Sequence, residues 1–344
     1  MNKKVLAILL AAALLIAVCA GCAAKETKQD ASASNASSGG TVTIRYGSAD
    51  SEDTAVVQGL LAFEKYVEEA SNGTIQVEPY INGVLGGDRE LCEGLQLGTV
   101  DMTMVLGAIL GNYDPSFNIF ALPYLWTSKQ ASYDAIEGEF GQTMIERADA
   151  IGFKLLGFGD AGAYEIGLNG KQAATVAELS GIKLRVPESE VDIAFFKALG
   201  ASPSPISFSE TYTALEQGVA NGLELPVELM YSSQYFDTLT SITMTNHFQA
   251  PFPILMSNNM WNSLSADQQQ IVLDGIAKQI EVNREIAADA ESKALKVFED
   301  SGKTVIYPDD AAMAEFEAIG KQVQEEYRDK VGSDLLDLAA SYNK

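Results

Sequence analysis

A helical pattern from about Ser265 to Asp300 constrains the fold of this chain more than any other feature. Ser265-Ala266-Asp267-Gln268 has the S-x-x-Q form of a capping box, and Gly302 lies just beyond the far end. At 1.5 Å per residue such a helix is roughly 54 Å long, which is more than one small domain needs. We therefore expect the helix to span two lobes, unless it kinks at Gly275.

Short strand patterns alternate with helical patterns along the rest of the chain. Predicted strands lie at 41–46, 74–79, 100–106, 153–158 and 241–246, and predicted helices at 57–67, 91–96, 191–199 and 209–217. Strands that alternate with helices at this spacing indicate an α/β fold.

The first 22 residues predict an export signal. A positive start at Lys3 and Lys4 precedes an apolar run over 5–18, which is too short to span a membrane as a helix. Small residues directly before Cys22 match a bacterial lipoprotein signal, although Cys19 stands where an aliphatic residue is usual. We expect a lipid on Cys22 and an extracytoplasmic protein anchored to the cell membrane; an ordinary signal peptide is the alternative.

Residues 23–40 are small and polar, which is typical of a flexible tether between lipid and domain. With Cys22 lipidated, Cys92 is the one cysteine left in the mature chain, so no internal disulfide is expected.

The charge balance limits what the chain can bind. It has 23 Lys and Arg against 47 Asp and Glu, a formal net charge of −24. Such a surface argues against nucleic acid as a partner, because phosphate binding needs a basic face. Any site for an anion must then be local, and Arg185 is the candidate cation. It lies in a strand-like segment, 181–187, where it is either a solvated edge residue or a fixed anchor for an anion.

The sequence lacks a complete motif for catalysis or cofactor binding. Gly157 to Gly162 matches G-x-G-x-x-G, but the residues after it look extended, whereas a dinucleotide site needs a helix there. His247 is the only histidine, which excludes a His-rich metal site, and Cys92 reads as a core thiol. No pair of carboxylates is marked as an acid/base couple. We expect no cofactor, no metal and no enzymatic activity.

Several segments, in their order and spacing, resemble the solute-binding proteins of TRAP (tripartite ATP-independent periplasmic) transporters of the dicarboxylate-receptor type. The resemblance covers roughly 42–330, and its strongest segments are 83–90 with 97–101, 122–126, 178–187, 208–218, 245–247 and 261–264. It implies an α/β, two-lobed periplasmic-binding-protein-like fold with hinge strands and one long lobe-spanning helix.

This resemblance also implies an organisation and partners. Residues 41–162 plus about 251–285 form lobe 1, and residues 163–250 plus about 286–344 form lobe 2. The expected partners are a small-molecule carboxylate ligand and the small and large membrane subunits of a TRAP permease. We expect a monomer.

Site residues are carried over from the family position by position. Arg185 is implied to make a bidentate salt bridge to a ligand carboxylate, because a guanidinium offers parallel donors to both oxygens. Phe208 matches an aromatic that packs on the ligand. Glu165 stands where many relatives have a second arginine, and Leu225 stands where an asparagine often bonds the ligand. If the alignment is off by one, Tyr164 takes the place of Glu165.

Other positions near the implied cleft are less determined. Glu224 precedes Leu225 in the same segment, and His247 matches a residue close to the cleft, where a structural hydrogen bond to backbone is the alternative role. Asp50 and Glu52, in the loop after the first strand, are further candidates to enter the cleft.

The expected ligand is a small organic acid. Because a carboxylate replaces a cation at position 165, a second ligand carboxylate is disfavoured, and we expect a monocarboxylate such as a sugar acid or hydroxy acid. An amino-acid-like ligand is the alternative. Two other functions stay open, a ligand-sensing receptor of the same fold for a membrane signalling protein and an exported hydrolase.

Overall fold

The structure is a computed structural model that describes residues 41–343. The predicted signal peptide, the lipidated Cys22 and the tether over 23–40 lie outside the described residues. The described part forms one compact unit. None of its helices is both long enough and apolar enough to cross a bilayer.

The strands and helices follow one another in the rhythm that the sequence predicts. The strands of 41–343 are β1 (Val42–Gly47), β2 (Ile75–Tyr80), β3 (Met102–Met104), β4 (Phe153–Leu168), β5 (Lys183–Val186), β6 (Ser202–Pro205), β7 (Gly222–Pro226), β8 (Ser241–Ser257) and β9 (Thr304–Ile306). Its α-helices are α1 (Ala55–Ala70), α2 (Asp88–Leu97), α3 (Lys129–Glu137), α4 (Glu139–Ala150), α5 (Glu190–Ala198), α6 (Thr211–Glu216), α7 (Val227–Ser232), α8 (Asn258–Ser263), α9 (Ala266–Asp300), α10 (Asp310–Val331) and α11 (Ser333–Ala340).

These strands join in one mixed sheet in the order β2-β1-β3-β8-β4-β7-β5-β6, with β9 added to β8. On one side, β1 pairs in parallel with β2 and β3; on the other, β5 pairs in parallel with β6 and β7. Between these two parallel groups lies the antiparallel pair β4–β8. The α/β fold with two lobes and hinge strands, expected from the sequence, is confirmed.

The two hinge strands are longer than predicted. β4 has 16 residues and β8 has 17, whereas the sequence patterns end near Phe158 and Asn246. The predicted ends were wrong because β4–β8 pairing continues through register shifts, one of them between Asp160 and Ala163, where simple alternation fails. That register shift lies close to residue 162, where the first segment of lobe 1 is predicted to end. The boundaries of the two lobes stay a prediction.

The long helix predicted between Ser265 and Asp300 is confirmed as α9, with 35 residues. Ser265 Oγ accepts a hydrogen bond from the Gln268 amide at 3.3 Å, and the Gln268 side chain accepts one from the Ser265 amide at 3.0 Å. The helix runs without interruption through Gly275. A Cβ at that position would approach Val67 to 2.6 Å, so this glycine permits close packing on α1.

Three other predictions concern the chain between β1 and β5. The strand predicted over 100–106 is reduced to Met102–Met104, and a 3₁₀ helix over Gly107–Asn112 follows. The glycines from Gly157 to Gly162 lie inside β4 with no helix after them, so the motif does not form a dinucleotide site. Cys92 is buried on α2, as predicted for a core thiol, and burial raises the pKa of its thiol.

Candidate functional site

A concave cavity lies where the two parallel groups of strands and the hinge strands meet, and we call it the ligand cavity. Its enclosed part is narrow, about 30 Å³, and the space between its atoms is about 490 Å³ when the open mouth is included. Side chains from β1 to β8 and their loops line it. They are Asp50, Asp88, Arg89, Leu106, Ile109, Tyr164, Arg185, Pro187, Glu188, Ser207, Phe208, Leu225, Leu229 and Phe252.

Arg185 is the buried cation of this cavity. It sits on β5 between β6 and β7, and only 3% of its surface is exposed. Its Nε donates a hydrogen bond to the Ile206 carbonyl at 2.9 Å, which fixes the side chain. No salt bridge within residues 41–343 involves Arg185. A buried charge is stable only when it is paired, so this guanidinium is prepared for an anion from outside the chain.

Two carboxyl groups share the cavity with Arg185, of which Asp50 is buried and Asp88 half-buried. Asp50 follows β1 and accepts a hydrogen bond from Ser48 Oγ at 3.0 Å, and Asp88 opens α2 and accepts one from the Leu106 amide at 3.1 Å. Burial, together with the negative charge of Asp88, raises the pKa of Asp50 to about 7. Burial raises the pKa of Asp88 to about 6, although the Leu106 amide and Arg185 act in the opposite direction.

Asp88 is a site residue that the sequence reasoning missed. It lies within the segment Gly83–Glu90, which supported the family resemblance but was assigned no contact. The sequence did contain a signal for Asp88: two glycines directly precede this acidic residue at the start of a helix. Such glycines let the helix N-terminus approach the cavity.

An ion pair between two more exposed groups, Arg89 and Glu188, lies at the mouth of the cavity. Arg89 Nη1 lies 3.6 Å from a Glu188 carboxylate oxygen, and Arg89 Nε also pairs with Glu93 at 3.1 Å. Asn112 donates a hydrogen bond to the Glu188 carbonyl at 3.1 Å. Arg89 is thus a second cation on the lining, but one half-exposed and already engaged by two carboxylates.

Apolar side chains complete the walls. Phe208 is half-buried and packs edge-on against Tyr235, with ring centroids 6.0 Å apart. Tyr164 and Leu225 face the cavity from β4 and β7. Of the predicted site residues, Arg185, Tyr164, Phe208, Leu225 and Asp50 are brought together here; Glu52 is exposed and outside the lining.

Glu165 does not line the cavity, and its contact with a ligand stays a prediction. Tyr164, the alternative at this place, lines the cavity. Glu165 is fully buried outside the lining, where one carboxylate oxygen accepts hydrogen bonds from the Thr245 and Asn246 amides, the latter at 2.9 Å. Burial raises the pKa of Glu165 to about 8.

Glu224 and His247 also lie outside the lining and form a fully buried pair. His247 Nε2 is 3.0 Å from a Glu224 carboxyl oxygen, and His247 Nδ1 is 2.7 Å from Thr245 Oγ1. Neither side chain is among those that line the cavity, and their contact with a ligand stays a prediction. For His247, the alternative of a structural hydrogen bond applies, with side chains rather than backbone as partners.

Burial decides the charge of this pair. It lowers the pKa of His247 to about 3, and burial with the nearby charge of Asp192 raises the pKa of Glu224 far above its usual range. Burial thus favours the uncharged form of each group, and with it a hydrogen bond over a salt bridge between them.

Comparison with known proteins identifies close architectural relatives. The family model described as "bacterial extracellular solute-binding protein, family 7" matches residues 46–330. The C4-dicarboxylate-binding periplasmic protein of Rhodobacter capsulatus is 29% identical over 300 residues, which is 86% of this chain and 89% of that protein.

Solved structures match over the same region. The sugar acid binding protein of Advenella mimigardefordensis in complex with galactonate has 25% identity and a TM-score of 0.85, covering 88% of this chain and 99% of that one. A TRAP periplasmic solute binding protein from Sulfurospirillum deleyianum with bound succinate has 28% identity and a TM-score of 0.85, covering 88% and 100%.

Proposed function

We propose, from the premise that this chain belongs to family 7 of the bacterial extracellular solute-binding proteins, that it captures a monocarboxylate in the ligand cavity. Proteins of this TRAP family bind organic acids outside the cytoplasm and are in general not enzymes. The finer proposal concerns which acid is bound and by which residues.

The observation that carries this proposal is the unpaired guanidinium of Arg185. Only 3% of its surface is exposed, its Nε is already held by the Ile206 carbonyl, and no carboxylate of the described chain pairs with it. A ligand carboxylate would supply the missing charge and accept two parallel hydrogen bonds, which fixes the orientation of the ligand as well as its position.

Asp50 and Asp88 determine what the rest of the ligand must be. Both lie on the cavity wall, so a second ligand carboxylate beside them would add a like charge at a poorly hydrated position. Hydroxyl groups, in contrast, can donate to these oxygens. We therefore favour a sugar acid or hydroxy acid, and the reason is Asp50 and Asp88 rather than Glu165.

An amino-acid-like ligand is the second candidate, and the same two aspartates support it. An ammonium group would relieve the repulsion between them that helps raise the pKa of Asp50. The relatives do not distinguish between these ligand classes. Their names and structures include a C4-dicarboxylate, succinate and galactonate.

The transport role completes the proposal. The protein would deliver its ligand to the small and large membrane subunits of a TRAP permease, held near them by a lipid on Cys22. Closure of the lobes would follow from contacts that the ligand makes with both sides of the cavity. Ligand sensing for a membrane signalling protein is the alternative, and permease genes beside this gene would favour transport.

The decisive experiment is isothermal titration calorimetry with three probes, galactonate, succinate and an amino acid such as glutamine. We expect galactonate or the amino acid to bind and succinate to bind at least tenfold more weakly. Arg185→Ala should abolish binding, and Arg185→Lys should weaken it about tenfold or more, because a point charge loses the parallel donors.

Arg147→Ala is the matched control, since Arg147 lies at the end of α4 and away from the cavity. Tight succinate binding with no binding of the other probes would contradict the monocarboxylate proposal. Unchanged affinity in Arg185→Ala would remove Arg185 as the anchor.

A further inference from the structure

A second concavity lies apart from the ligand cavity, and we call it the acidic groove. Its volume is about 810 Å³, a size usual for small-molecule sites, and it shares no lining residue with the ligand cavity. One wall comes from the loop before α1 and from α7, and the other from the middle of α9.

Carboxylates dominate the groove. Asp53, Glu228, Glu285 and Asp289 line it, against one cation, Lys293. Lys293 lies 3.7 Å from Asp289, and both side chains are about three-quarters exposed, so this pair is weak. Within 41–343 no salt bridge involves the other three carboxylates, which leaves the groove with an excess of negative charge.

Glu228 adds an observation that points to a ligand. It is only 7% exposed, and its Oε1 accepts a hydrogen bond from the Ala55 amide at 3.3 Å. Its Oε2 is buried with no hydrogen-bond partner among the described residues. A buried acceptor left without a donor is destabilising, so a donor entering the groove would be stabilised there.

The spacing of the carboxylates favours an organic cation over a metal ion. Nowhere in residues 41–343 do three His, Cys, Asp or Glu side chains come close enough together to hold a metal. Separate carboxylates suit separate N–H donors instead. Tyr231, 47% exposed, and Val297, 44% exposed, offer apolar surface to the alkyl chain between such donors.

We propose that the acidic groove is a second binding site, which takes a small organic cation with amine or guanidinium groups on a short alkyl chain. Glu228 accepts from the deepest N–H group, and Asp53 and Glu285 attract the cation at the more exposed positions. The site is independent of the carboxylate ligand and of Arg185.

Calorimetry with agmatine tests this proposal, because agmatine carries a guanidinium and an ammonium but no carboxylate for Arg185. We expect agmatine to bind to the wild-type chain at low salt and 1,4-butanediol, a neutral analogue of its linker, not to bind. Glu228→Gln, which keeps an acceptor for Ala55, should weaken agmatine binding at least tenfold. Asp53→Asn and Glu285→Gln should each weaken it about two- to fivefold.

Two control variants test whether agmatine occupies the acidic groove itself. Glu299→Gln removes an exposed carboxylate of the same helix, α9, outside the groove, and should leave agmatine affinity unchanged. Arg185→Ala should also leave it unchanged, whatever becomes of the carboxylate ligand. Absence of agmatine binding, equal loss in Glu299→Gln and Glu228→Gln, or loss in Arg185→Ala would overturn the proposal.

Discussion

Two sets of carboxyl groups near the hinge strands have different surroundings. Asp50 and Asp88 line the ligand cavity, while Glu165 and Glu224 lie outside its lining, bonded to backbone amides and to His247. Burial raises the pKa in all four, so neither burial nor the pKa identifies the ligand-facing set. The distinction lies in which side chains line the cavity.

This comparison predicts that the two sets respond differently to mutation. Groups that bond within the chain should matter for folding and little for the ligand, whereas groups that line the cavity should matter for the ligand and little for folding. Each of the following predictions separates these two effects.

The largest effect is expected for His247→Ala. His247 is fully buried among Phe195, Phe196 and Phe248, with ring centroids 4.7–5.8 Å away, and its removal leaves a cavity and an unpaired Glu224. We expect the free energy of unfolding to fall by about 3–5 kcal/mol, measured by urea denaturation without ligand.

Ligand affinity in the folded His247→Ala protein should stay within about threefold of wild type, because the side chain does not line the cavity. Glu299→Gln, which removes an exposed carboxylate of α9, is the control and should leave the free energy of unfolding nearly unchanged. Loss of ligand binding in a stable His247→Ala protein would place His247 in the site after all.

The sequence predicted the fold better than the site, and the reason is geometric. The length of α9 and the strand–helix rhythm depend on local patterns summed over many residues, which tolerate small errors. A site assignment on a strand depends on register, where a shift of one residue reverses the face. Arg185 was predicted because a cation in an acidic chain is conspicuous. Glu165 and Tyr164 were both candidates because a shift of one residue in the alignment exchanges them, and Tyr164 is the one that lines the cavity.

A smaller effect is expected for Glu165→Gln and depends on pH. The pKa of Glu165 is about 8 in the folded chain, above its usual value near 4.5, so the folded state holds a proton that the unfolded state releases. The stability from this group is fully present below pH about 4.5 and is lost as the pH rises to about 8.

Glutamine at position 165 cannot ionise, so the loss over this pH window should shrink by on the order of 3 kcal/mol. Urea denaturation at pH 5, 7 and 8 measures the slope. Asp50→Asn serves for comparison. The pH-dependent stability that Asp50 contributes should be lost by about pH 7 rather than 8, so this variant should change the slope only below about pH 7. A Glu165→Gln protein with the wild-type slope up to pH 8 would show that Glu165 is ionised in the folded state.

The smallest effect in free energy, and the most informative about the ligand, is expected for Asp88→Asn. Asparagine keeps an acceptor for the Leu106 amide but removes the charge beside Asp50 and Arg185. A hydroxyl donor bonds a charged acceptor more strongly than a neutral one, so affinity for galactonate should fall by about 1 kcal/mol, or roughly fivefold. Succinate should gain affinity, because a like charge has left the wall.

The ratio of the two affinities, measured by calorimetry on one preparation, is therefore the sharpest readout. Asp114→Asn is a suitable control, since Asp114 caps a 3₁₀ helix over Pro115–Ala121 outside the cavity lining and should leave the ratio unchanged. If Asp88→Asn left the ratio unchanged too, the carboxylates of the cavity would not select the ligand. Selectivity would then rest on the shape of the walls around Phe208 and Leu225.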